Sequence, residues 1–507
     1  MNPAFDDETN ANVSAPASNG PASGAASDAP ASDAAGLAPL EPEFERFDHL
    51  LVGTGQATAT LISGLPDDET ICVIEGDLVG GTCVNDGCTP TKTLVASAKV
   101  AHQARRGAEY GVRTGEVEID FAAVMARMNE VRGDSREGLT SFLEGNERIT
   151  LIRGWAAFEE AGVVRVGDRR IEGTNTYLNV GARARVLDVP GLDDVPWLDN
   201  TRLLELDELP GHLIVVGGSY VGLEMAQVFR RLGSKVTVLE AGPQLMARED
   251  ADIADTARGI FEAEGIEIVT DARMSSVARR DAGSGAGDGD GDGIEVVADL
   301  GGTSRTVHGS HLLLAVGRVP NSDRLNLEAA GIETDERGYI RVDDRCRTTA
   351  DGVWALGDVN GQGAFTHTSV NDAEIVLDDL HGGSRRLSER DTIYAMFVDP
   401  PLGRVGMSEK EAKEKGHRVL KATMPMSKVS RAKEAGETEG MIKLLVDADT
   451  DRFLGVAVLG MHGDELANLF AAFMRTGADW HTFRRTVLVH PTVGELLPFV
   501  LDGLQPA

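Results

Sequence analysis

Cysteine and aromatic residues are scarce in this chain. Of its 507 residues only 4 are cysteine, and Phe, Tyr and Trp together account for 5%. So few cysteines exclude a disulfide-stabilised secreted scaffold and favour a reducing compartment, from which we expect a cytoplasmic protein. Long apolar runs are also missing, because none approaches the ~18 residues that a membrane-spanning helix requires. The sequence therefore predicts no association with a membrane.

Basic residues are in short supply as well. The 49 Lys and Arg residues are outnumbered by 81 Asp and Glu, which leaves a formal net charge of −32. Because such a surface repels phosphates, nucleic acid and anionic membranes are unfavourable partners. Residues 1–45 contain no Lys or Arg and are rich in Ala, Ser, Pro and Asp. They lack the basic start and apolar core of a signal peptide, and their composition predicts a disordered acidic tail.

A strand, a glycine turn and a second strand follow this tail. The apolar run at 47–52 leads into Gly53 and Gly55, and a second apolar run ends at Glu75. Glycines at a strand-to-helix turn let the backbone approach a pyrophosphate, and an acidic residue about 20 positions further accepts ribose hydroxyls. Thr58 stands where a third glycine is usual. The pattern predicts a dinucleotide site, and the cysteine motif that comes next favours FAD as its occupant.

The same pattern occurs a second time. An apolar run at 213–216 precedes Gly217 and Gly222, and the second strand closes at Glu240, 23 residues after Gly217. Two such patterns in one chain imply two nucleotides. A carboxylate at Glu240 would pair with free ribose hydroxyls and repel a 2′-phosphate, which favours NADH over NADPH. Arg248 lies close behind in the sequence and keeps NADPH open as an alternative.

Two cysteines stand five residues apart directly after the first dinucleotide pattern. Cys83 and Cys88 lie within the sequence GGTCVNDGCTPTK at 80–92. A zinc site would use C-x2-C pairs and need two more ligands, so no metal site is predicted here. A thiol pair beside a bound cofactor can instead be oxidised to a disulfide and reduced again by electrons that arrive through the cofactor. From about 47 to 504 the chain resembles the flavoprotein disulfide reductases, which include lipoamide dehydrogenase, glutathione reductase and mercuric reductase.

The resemblance implies a role for each sulfur. Cys88 would be the flavin-side thiol that interacts with the oxidised ring, and Cys83 would exchange disulfides with the substrate. A thiolate is the nucleophile, so its pKa must be lowered by a helix N-terminus or an imidazolium. We expect a helix that begins near Pro90 to supply the first of these. The other two cysteines, Cys72 and Cys346, are expected to be core thiols.

A histidine near the C-terminus supplies the imidazole, and a glutamate five residues later can orient it. In the segment from His490 to Glu495, the carboxylate can fix the tautomer of the imidazole and raise its basicity. The segment has the His-Pro-Thr-x-x-Glu form of the family's acid/base pair, which serves the cysteines of the partner subunit. The resemblance thus implies a homodimer whose active sites are shared between subunits.

Further cofactor contacts are implied by the same resemblance. Lys92 would lie by the flavin and pair with Glu224, and Tyr220 matches an aromatic gate that covers the nicotinamide pocket in some relatives. Asp358 would contact the ribityl-phosphate region of FAD. The cofactor-binding residues expected from the sequence are Gly53, Gly55, Glu75, Lys92, Gly181, Gly217, Tyr220, Gly222, Glu224, Glu240, Gly317 and Asp358.

The predicted fold class is α/β, with two Rossmann-like dinucleotide-binding domains and a C-terminal α+β dimerisation domain. Segments 312–318 and 353–359 resemble the family's return segments to the FAD domain, which is therefore expected to be split. The expected divisions are an acidic tail at 1–45, an FAD-binding domain at 46–196 and 317–390, an NAD(P)-binding domain at 197–316 and a dimerisation domain at 391–507.

An Asp/Gly-rich insertion at 281–293 interrupts the second dinucleotide domain. Its aspartates fit the spacing of a Ca²⁺ loop, with Asp299 where a bidentate Glu is usual. Because its flanks have the character of strands and not of helices, a solvated acidic hairpin tip is favoured over a cation site.

The expected function is oxidation of NAD(P)H by an FAD enzyme that reduces a small-molecule disulfide or a soft metal ion through Cys83 and Cys88. The glycine turn at 53–57 and the C-terminal motif look most like the mercuric-reductase-like branch, but no cysteine follows Glu495 to hand over Hg²⁺. Dihydrolipoamide dehydrogenase is the alternative, because the redox set is complete. Two further hypotheses are a flavin-bearing redox sensor without fast turnover and an NADH oxidase that would act without either cysteine.

Overall fold

Three sheets of four or more strands organise the chain, and they are called the first, second and third sheet in chain order. The computed structural model describes residues 44–280 and 293–507. Residues 1–43 of the predicted acidic tail and residues 281–292 of the Asp/Gly insertion lie outside these ranges, and with them the predictions made for both segments.

The first sheet has a parallel centre made of apolar segments. Residues 50–52 and 71–74 are almost fully buried, as parallel strands covered on both faces must be. Glu45–Val52 pairs in parallel with Ile71–Glu75 on one side and with Arg169–Leu178 on the other. The strands of this sheet are Glu45–Val52, Ile71–Glu75, Ile149–Arg153, Ala156–Glu160, Val163–Val166, Arg169–Leu178 and Val353–Ala355.

The second sheet repeats the arrangement with four parallel strands. In spatial order they are Glu267–Val269, Lys235–Leu239, His212–Val216 and His311–Leu314. The expectation that segment 312–318 returns to the first domain is wrong for its first half, because residues 312–314 pair with the second sheet. Arg318–Pro320 does turn back, and it pairs with Ala182–Ala184.

An antiparallel sheet stands on either side of the insertion. It consists of Arg273–Arg280, Gly293–Asp299 and Ser304–Gly309. The strand character expected for the flanks of the insertion is therefore confirmed.

The third sheet is antiparallel and carries helices on its surface. Its strands are Ile393–Met396, Leu402–Gly406, Val419–Pro425, Met441–Asp447, Phe453–Leu459 and Gln505–Pro506. The helix Gly463–Arg475 buries Leu466, Ala467 and Phe470 against this sheet. The first sheet has a parallel centre with an antiparallel edge, the second is parallel, and an α+β region follows them, so the predicted mixed α/β class is confirmed.

Three helices begin close to one another and position the site, namely Cys88–Arg106, Tyr220–Leu232 and Thr366–Leu380. The helix Cys88–Arg106 starts two residues earlier than Pro90, which occupies its first turn, and it ends on two arginines that favour a helix C-terminus. It packs against Tyr220–Leu232, and Thr366–Leu380 packs against Ala57–Gly64. The remaining helices are Gly81–Asn85, Phe121–Glu144, Asn200–Leu203, Ala251–Ala263, Glu409–Glu414, Ser430–Ala435, Gly463–Arg475, Trp480–Arg484 and Leu497–Val500.

Candidate active site

The first glycine turn is shaped by Asn179. Gly53 has a φ of +94°, and a Cβ added there would lie 2.5 Å from the carbonyl oxygen of Asn179. A Cβ on Gly55 would lie 2.7 Å from Asn179 Oδ1. Both positions therefore require glycine, and the helix that follows directs its N-terminus at the turn. Thr58 fills the third glycine position, and its hydroxyl donates to the Gly53 carbonyl oxygen at 3.0 Å.

Each glycine turn is closed by a glutamate at the end of the next strand. Glu75 Oε2 accepts from the Thr54 amide at 2.9 Å and from the Thr54 hydroxyl at 2.5 Å. Glu240 accepts from the amides of Gly218 and Gly242, both at 2.6 Å. The two carboxylates thus occupy equivalent positions beside the two turns, where the ribose hydroxyls of a bound dinucleotide are held in this kind of fold.

The second glycine turn is tighter than the first. Gly217 has a φ of +113°, and a Cβ there would lie 2.3 Å from the Ala315 carbonyl oxygen. A Cβ on Gly222 would lie 2.1 Å from the Gly217 carbonyl oxygen. The helix that begins at Tyr220 can therefore approach the strands this closely only with glycine at both positions.

Residues from both parts of the split first domain have the chemistry to hold a bound FAD. Gly181 and Gly317 have φ of +67° and +109°, and an added Cβ would meet no described atom within 4 Å. Arg318 donates to the Thr82 hydroxyl at 3.1 Å, and its Nε lies 3.5 Å from Asp358 Oδ2. That Nε is buried and lacks a hydrogen-bond acceptor among the described residues. Burial raises the pKa of Asp358, and Arg318 opposes this. A buried donor and a partly buried carboxylate beside open glycines suit the phosphates and ribityl hydroxyls of FAD.

The two central cysteines share a hydroxyl from another helix. Cys83 lies in the helix Gly81–Asn85, and Cys88 is the first residue of a 19-residue helix. The Thr366 hydroxyl donates to Cys83 Sγ at 3.1 Å and lies 3.4 Å from Cys88 Sγ. The structure thus brings together the two sulfurs and the N-terminus of a third helix.

The sulfurs differ in acidity. The pKa of Cys88 is lowered to about 6, mainly by its hydrogen bond with Cys83. The Thr366 hydroxyl and the charge of Lys92 lower it as well, whereas burial acts to raise it. The same hydrogen bond, followed by burial, raises the pKa of Cys83 well above its usual range. In the reduced pair these shifts favour the thiolate on Cys88 and the proton on Cys83, and the flavin-side role of Cys88 stays a prediction.

Lys92 and Glu224 form the expected pair. Lys92 Nζ donates to Glu224 Oε2 at 2.6 Å, one helical turn beyond Cys88. The other oxygen of Glu224 accepts from the Phe397 amide at 2.7 Å. The Phe397 ring lies 4.7 Å from the ammonium, so the cation is held by a carboxylate and an aromatic face together.

Tyr220 follows directly on the second glycine turn. It begins its helix four residues before Glu224, so both side chains lie on the same helix face. Its ring centroid is 6.5 Å from that of Phe365, the residue that precedes Thr366. The predicted gate residue therefore contacts the segment that supplies the bridging hydroxyl.

His490 and Glu495 form a pair on the surface. His490 Nδ1 lies 2.9 and 2.8 Å from the two carboxylate oxygens of Glu495, which orients the ring. The side chain of His490 is 74% exposed, against 15% for Glu495. Within residues 44–280 and 293–507, no hydrogen bond joins His490 to Cys83 or Cys88. The imidazole is thus oriented and accessible but is not part of the cysteine site of its own chain.

Sequence reasoning missed Thr366, Asn179 and Arg318 as site residues. Thr366 is separated from Cys83 by 283 residues and belongs to no recognised motif, so only the packing of its helix reveals it. Asn179 and Arg318 stood beside predicted glycines, and their polar side chains next to a glycine turn were the available signal. The core assignment of Cys72 and Cys346 is confirmed, because both are fully buried and burial raises the pKa of Cys72 to about 12.

Features of a metal centre or of a membrane span are absent from residues 44–280 and 293–507. These residues contain no group of three or more His, Cys, Asp or Glu side chains that could hold a metal ion. In the same part of the chain, no helix has the length and apolar character to cross a membrane.

Family models match most of the chain. Residues 47–373 match the pyridine nucleotide-disulphide oxidoreductase model, and residues 392–498 match the dimerisation domain of the same family. The second match supports a homodimer.

Individual relatives agree with this match. The chain is 35% identical over 469 residues to RclA of Escherichia coli K12, which covers 89% of this chain and 98% of that protein. It is 30% identical to a mercuric reductase of Bacillus cereus, over 89% of this chain and 70% of the relative. It is 28% identical to a dihydrolipoyl dehydrogenase of Geobacillus stearothermophilus, over 88% and 94% of the two chains.

A solved structure shows the same architecture. The Cu(II) complex of the HOCl-induced flavoprotein disulfide reductase RclA superposes with a TM-score of 0.81 at 33% identity, covering 90% of this chain and 99% of that one. Members of the family depend on FAD and a pyridine nucleotide. The chain is therefore a member of the pyridine nucleotide-disulphide oxidoreductases, the flavoprotein disulfide reductases of class I.

Proposed function

We propose that this protein oxidises NADH with FAD and passes the electrons through Cys83 and Cys88 to a soft metal ion or a small disulfide. The observation that carries the proposal is the pair of sulfurs at a helix N-terminus, joined by the Thr366 hydroxyl, between two glycine turns. FAD bound at the first turn would take up a hydride and supply two electrons to the sulfurs. The residues of the chain then control where the resulting thiolate lies.

Cys83 needs a base before it can attack a substrate. Burial and its hydrogen bond with Cys88 keep the Cys83 thiol protonated, since its pKa is raised. The exposed imidazole of His490, oriented by Glu495, is suited to accept that proton. Because His490 does not contact the cysteines of its own chain, we assign this role to His490 of the partner subunit. The active site would then be shared across the dimer.

With a disulfide substrate, the exchange runs in two balanced steps. The Cys83 thiolate attacks one substrate sulfur, the substrate S–S bond breaks, and the leaving thiolate takes the proton held by the imidazole. The Cys88 thiolate then attacks Cys83, the mixed S–S bond breaks and the Cys83–Cys88 disulfide is restored, and the second substrate thiolate leaves and takes a proton from solvent. Each cycle consumes one NADH and one proton and yields two thiols.

With a metal ion, the same thiol pair would act as ligand and relay. Two electrons would convert one Hg²⁺ to Hg⁰, or two Cu²⁺ to two Cu⁺. Mercuric reductases and the copper complex of RclA among the relatives support a thiophilic metal as substrate. Cys88 is exposed and Cys83 partly exposed, so a metal ion could reach the pair directly.

Glu240 supports NADH as the electron donor. Its carboxylate accepts from Gly218 and Gly242 and so faces the place of the ribose 2′-position. A 2′-phosphate there would meet a negative charge, which opposes NADPH.

Dihydrolipoamide dehydrogenase is the second candidate. It is favoured by relatives of that name that are 28–33% identical over nearly the whole chain. Anaerobic NADH consumption by the FAD-loaded enzyme, compared between lipoamide, a Hg²⁺–thiol complex and Cu²⁺, separates the two. Turnover with lipoamide alone would identify the dehydrogenase, and turnover with a metal alone the metal reductase.

The variant Cys83→Ser tests the cysteine route itself. It should lose turnover with every one of these substrates while NADH still reduces the flavin. Full substrate turnover in this variant would instead indicate an NADH oxidase. Slow NADH consumption by the unaltered enzyme with all acceptors would indicate a redox sensor.

A further inference from the structure

Tyr220 is tied to the third sheet through a buried carboxylate. Its hydroxyl donates to Glu249 Oε1 at 2.9 Å, and the Tyr394 hydroxyl donates to the same oxygen at 2.7 Å. Glu249 Oε2 accepts from the Arg404 guanidinium at 3.0 Å. The side chain of Glu249 has no exposed surface and that of Arg404 is 2% exposed. Three donors therefore hold this carboxylate away from water.

The pKa shifts in this cluster favour a charged Arg404 and a protonated Tyr220 hydroxyl, the states that these hydrogen bonds require. Burial acts against the charge of Arg404, but Glu249 and Asp250 outweigh it and raise the pKa of the guanidinium. Burial, and after it the charge of Glu249, raises the pKa of Tyr220 as well. The Tyr220 hydroxyl therefore stays protonated and remains a donor to the carboxylate.

The tether fixes the ring at a specific place. The ring centroids of Tyr220 and Phe365 each lie 5.5 Å from that of Tyr394, so the three rings pack as one cluster. Phe365 precedes Thr366, which contacts the sulfurs, and Tyr220 follows directly on the second glycine turn. With Tyr220 as the gate that the family resemblance implies, a dinucleotide on that turn would have to displace this ring before its reactive end could approach the redox centre.

We propose that Glu249, held by Arg404, is a positioning residue that keeps the Tyr220 ring closed, and that entry of the nicotinamide breaks the Tyr220–Glu249 hydrogen bond. The inference rests on the proposed role of Tyr220 as a gate. Every binding event would then lose one hydrogen bond to a buried carboxylate, which weakens the affinity for the nucleotide. Removing the hydroxyl while keeping the ring should therefore tighten binding.

The test compares three variants of the FAD-loaded dimer. Tyr220→Phe keeps the ring and loses the tether, whereas Tyr394→Phe removes a neighbouring bond to the same carboxylate oxygen and leaves the Tyr220–Glu249 bond in place. Calorimetric titration with NAD⁺ should show a Kd about 3- to 10-fold lower for Tyr220→Phe, the size expected of one hydrogen bond. The KM for NADH should fall alongside, with kcat within about twofold. Tyr394→Phe should leave both constants unchanged.

Tyr220→Ala separates the tether from the gate. If Tyr220→Ala changes the Kd and Tyr220→Phe does not, the Tyr220 ring acts as a gate but its hydrogen bond with Glu249 does not control binding, and the proposal is wrong. If neither changes it, the gate role of Tyr220 fails as well. Equal tightening in Tyr220→Phe and Tyr394→Phe would also overturn the proposal, because it would reflect general loosening of the cluster.

Discussion

The Thr366 hydroxyl donates to Cys83 Sγ at 3.1 Å, across 283 residues of sequence. Thr366 begins the helix Thr366–Leu380, and its hydroxyl also lies 3.4 Å from Cys88 Sγ. A neutral hydroxyl in this position can stabilise a thiolate on either sulfur without fixing a charge of its own. It can therefore assist both the reduced and the exchanging state of the pair.

Thr366→Val should weaken the thiolate of Cys88. The substitution keeps the shape of the side chain and removes a hydroxyl that lowers the pKa of Cys88. We expect that pKa to rise toward the ordinary thiol value of about 8.5. The ultraviolet absorbance of the thiolate, titrated in the reduced enzyme, measures it. Thr366→Ser, which retains the hydroxyl, is the matched control and should titrate like the unaltered enzyme.

Alkylation of the reduced enzyme should persist in mildly acidic solution. Cys88 titrates at about 6, below the ordinary thiol value of about 8.5, so its thiolate is present above pH 6 and is lost as the pH falls through that value. The rate with iodoacetamide should reach half of its plateau near pH 6. Cys88→Ser should remove this phase, and the pKa of Cys83 should fall toward its ordinary value, because the hydrogen bond with Cys88 is the largest cause that raises it. A midpoint near 8.5 in the unaltered enzyme would contradict the assignment of the thiolate.

Gly222→Ala should disable the second dinucleotide site and spare the first. Its Cβ would lie 2.1 Å from the Gly217 carbonyl oxygen, so the turn must shift. We expect the purified protein to keep its flavin absorbance while reduction by NADH slows by about 100-fold or more, as misplaced reactants do. Gly259→Ala, in the helix Ala251–Ala263, meets no described atom within 4 Å and should behave normally. Loss of flavin from Gly222→Ala would mean that the two sites are not independent.

Repetition explains why most of the fold could be predicted. The apolar runs before Gly53 and Gly217 are buried parallel strands, and both acidic ends, Glu75 and Glu240, close on the amides of their own turns. Such contacts are local, with partners about 20 residues apart, so spacing alone reveals them. The strand at 312–314 was misassigned because an apolar run carries no information about which of two parallel sheets it joins.

Contacts between distant segments could not be read from the sequence. Tyr220 was predicted from its place after a glycine turn, but its partner Glu249 comes from a loop, and Tyr394 and Arg404 come from the third sheet. Nothing in the sequence distinguishes Thr366 from other threonines, because its role depends on where its helix packs. The position of these groups depends on packing between domains, which no local periodicity encodes.

Mixed dimers should reveal whether the active site is shared. Cys83→Ser and His490→Gln should each be inactive as homodimers. A dimer with one copy of each, isolated with two affinity tags, contains one intact site if His490 serves the partner's sulfurs. We expect about half of the activity of the unaltered dimer, because one of two symmetric sites is complete. If His490 served the sulfurs of its own chain, neither site would be intact and the mixed dimer would be inactive.

Glu240→Gln should relax the choice between the two pyridine nucleotides. The proposed position of the ribose beside Glu240 would bring a 2′-phosphate close to this carboxylate, and two like charges about 4–5 Å apart near a surface repel by a few kcal/mol before screening. We expect the KM of NADPH relative to NADH to fall by about 10-fold, measured at fixed ionic strength. Glu75→Gln makes the equivalent change at the first turn; it should weaken FAD retention and leave the nucleotide ratio alone. An unchanged ratio in Glu240→Gln would mean that Glu240 does not discriminate between the nucleotides. Arg248 would then be the residue to test, and its removal should weaken NADPH binding.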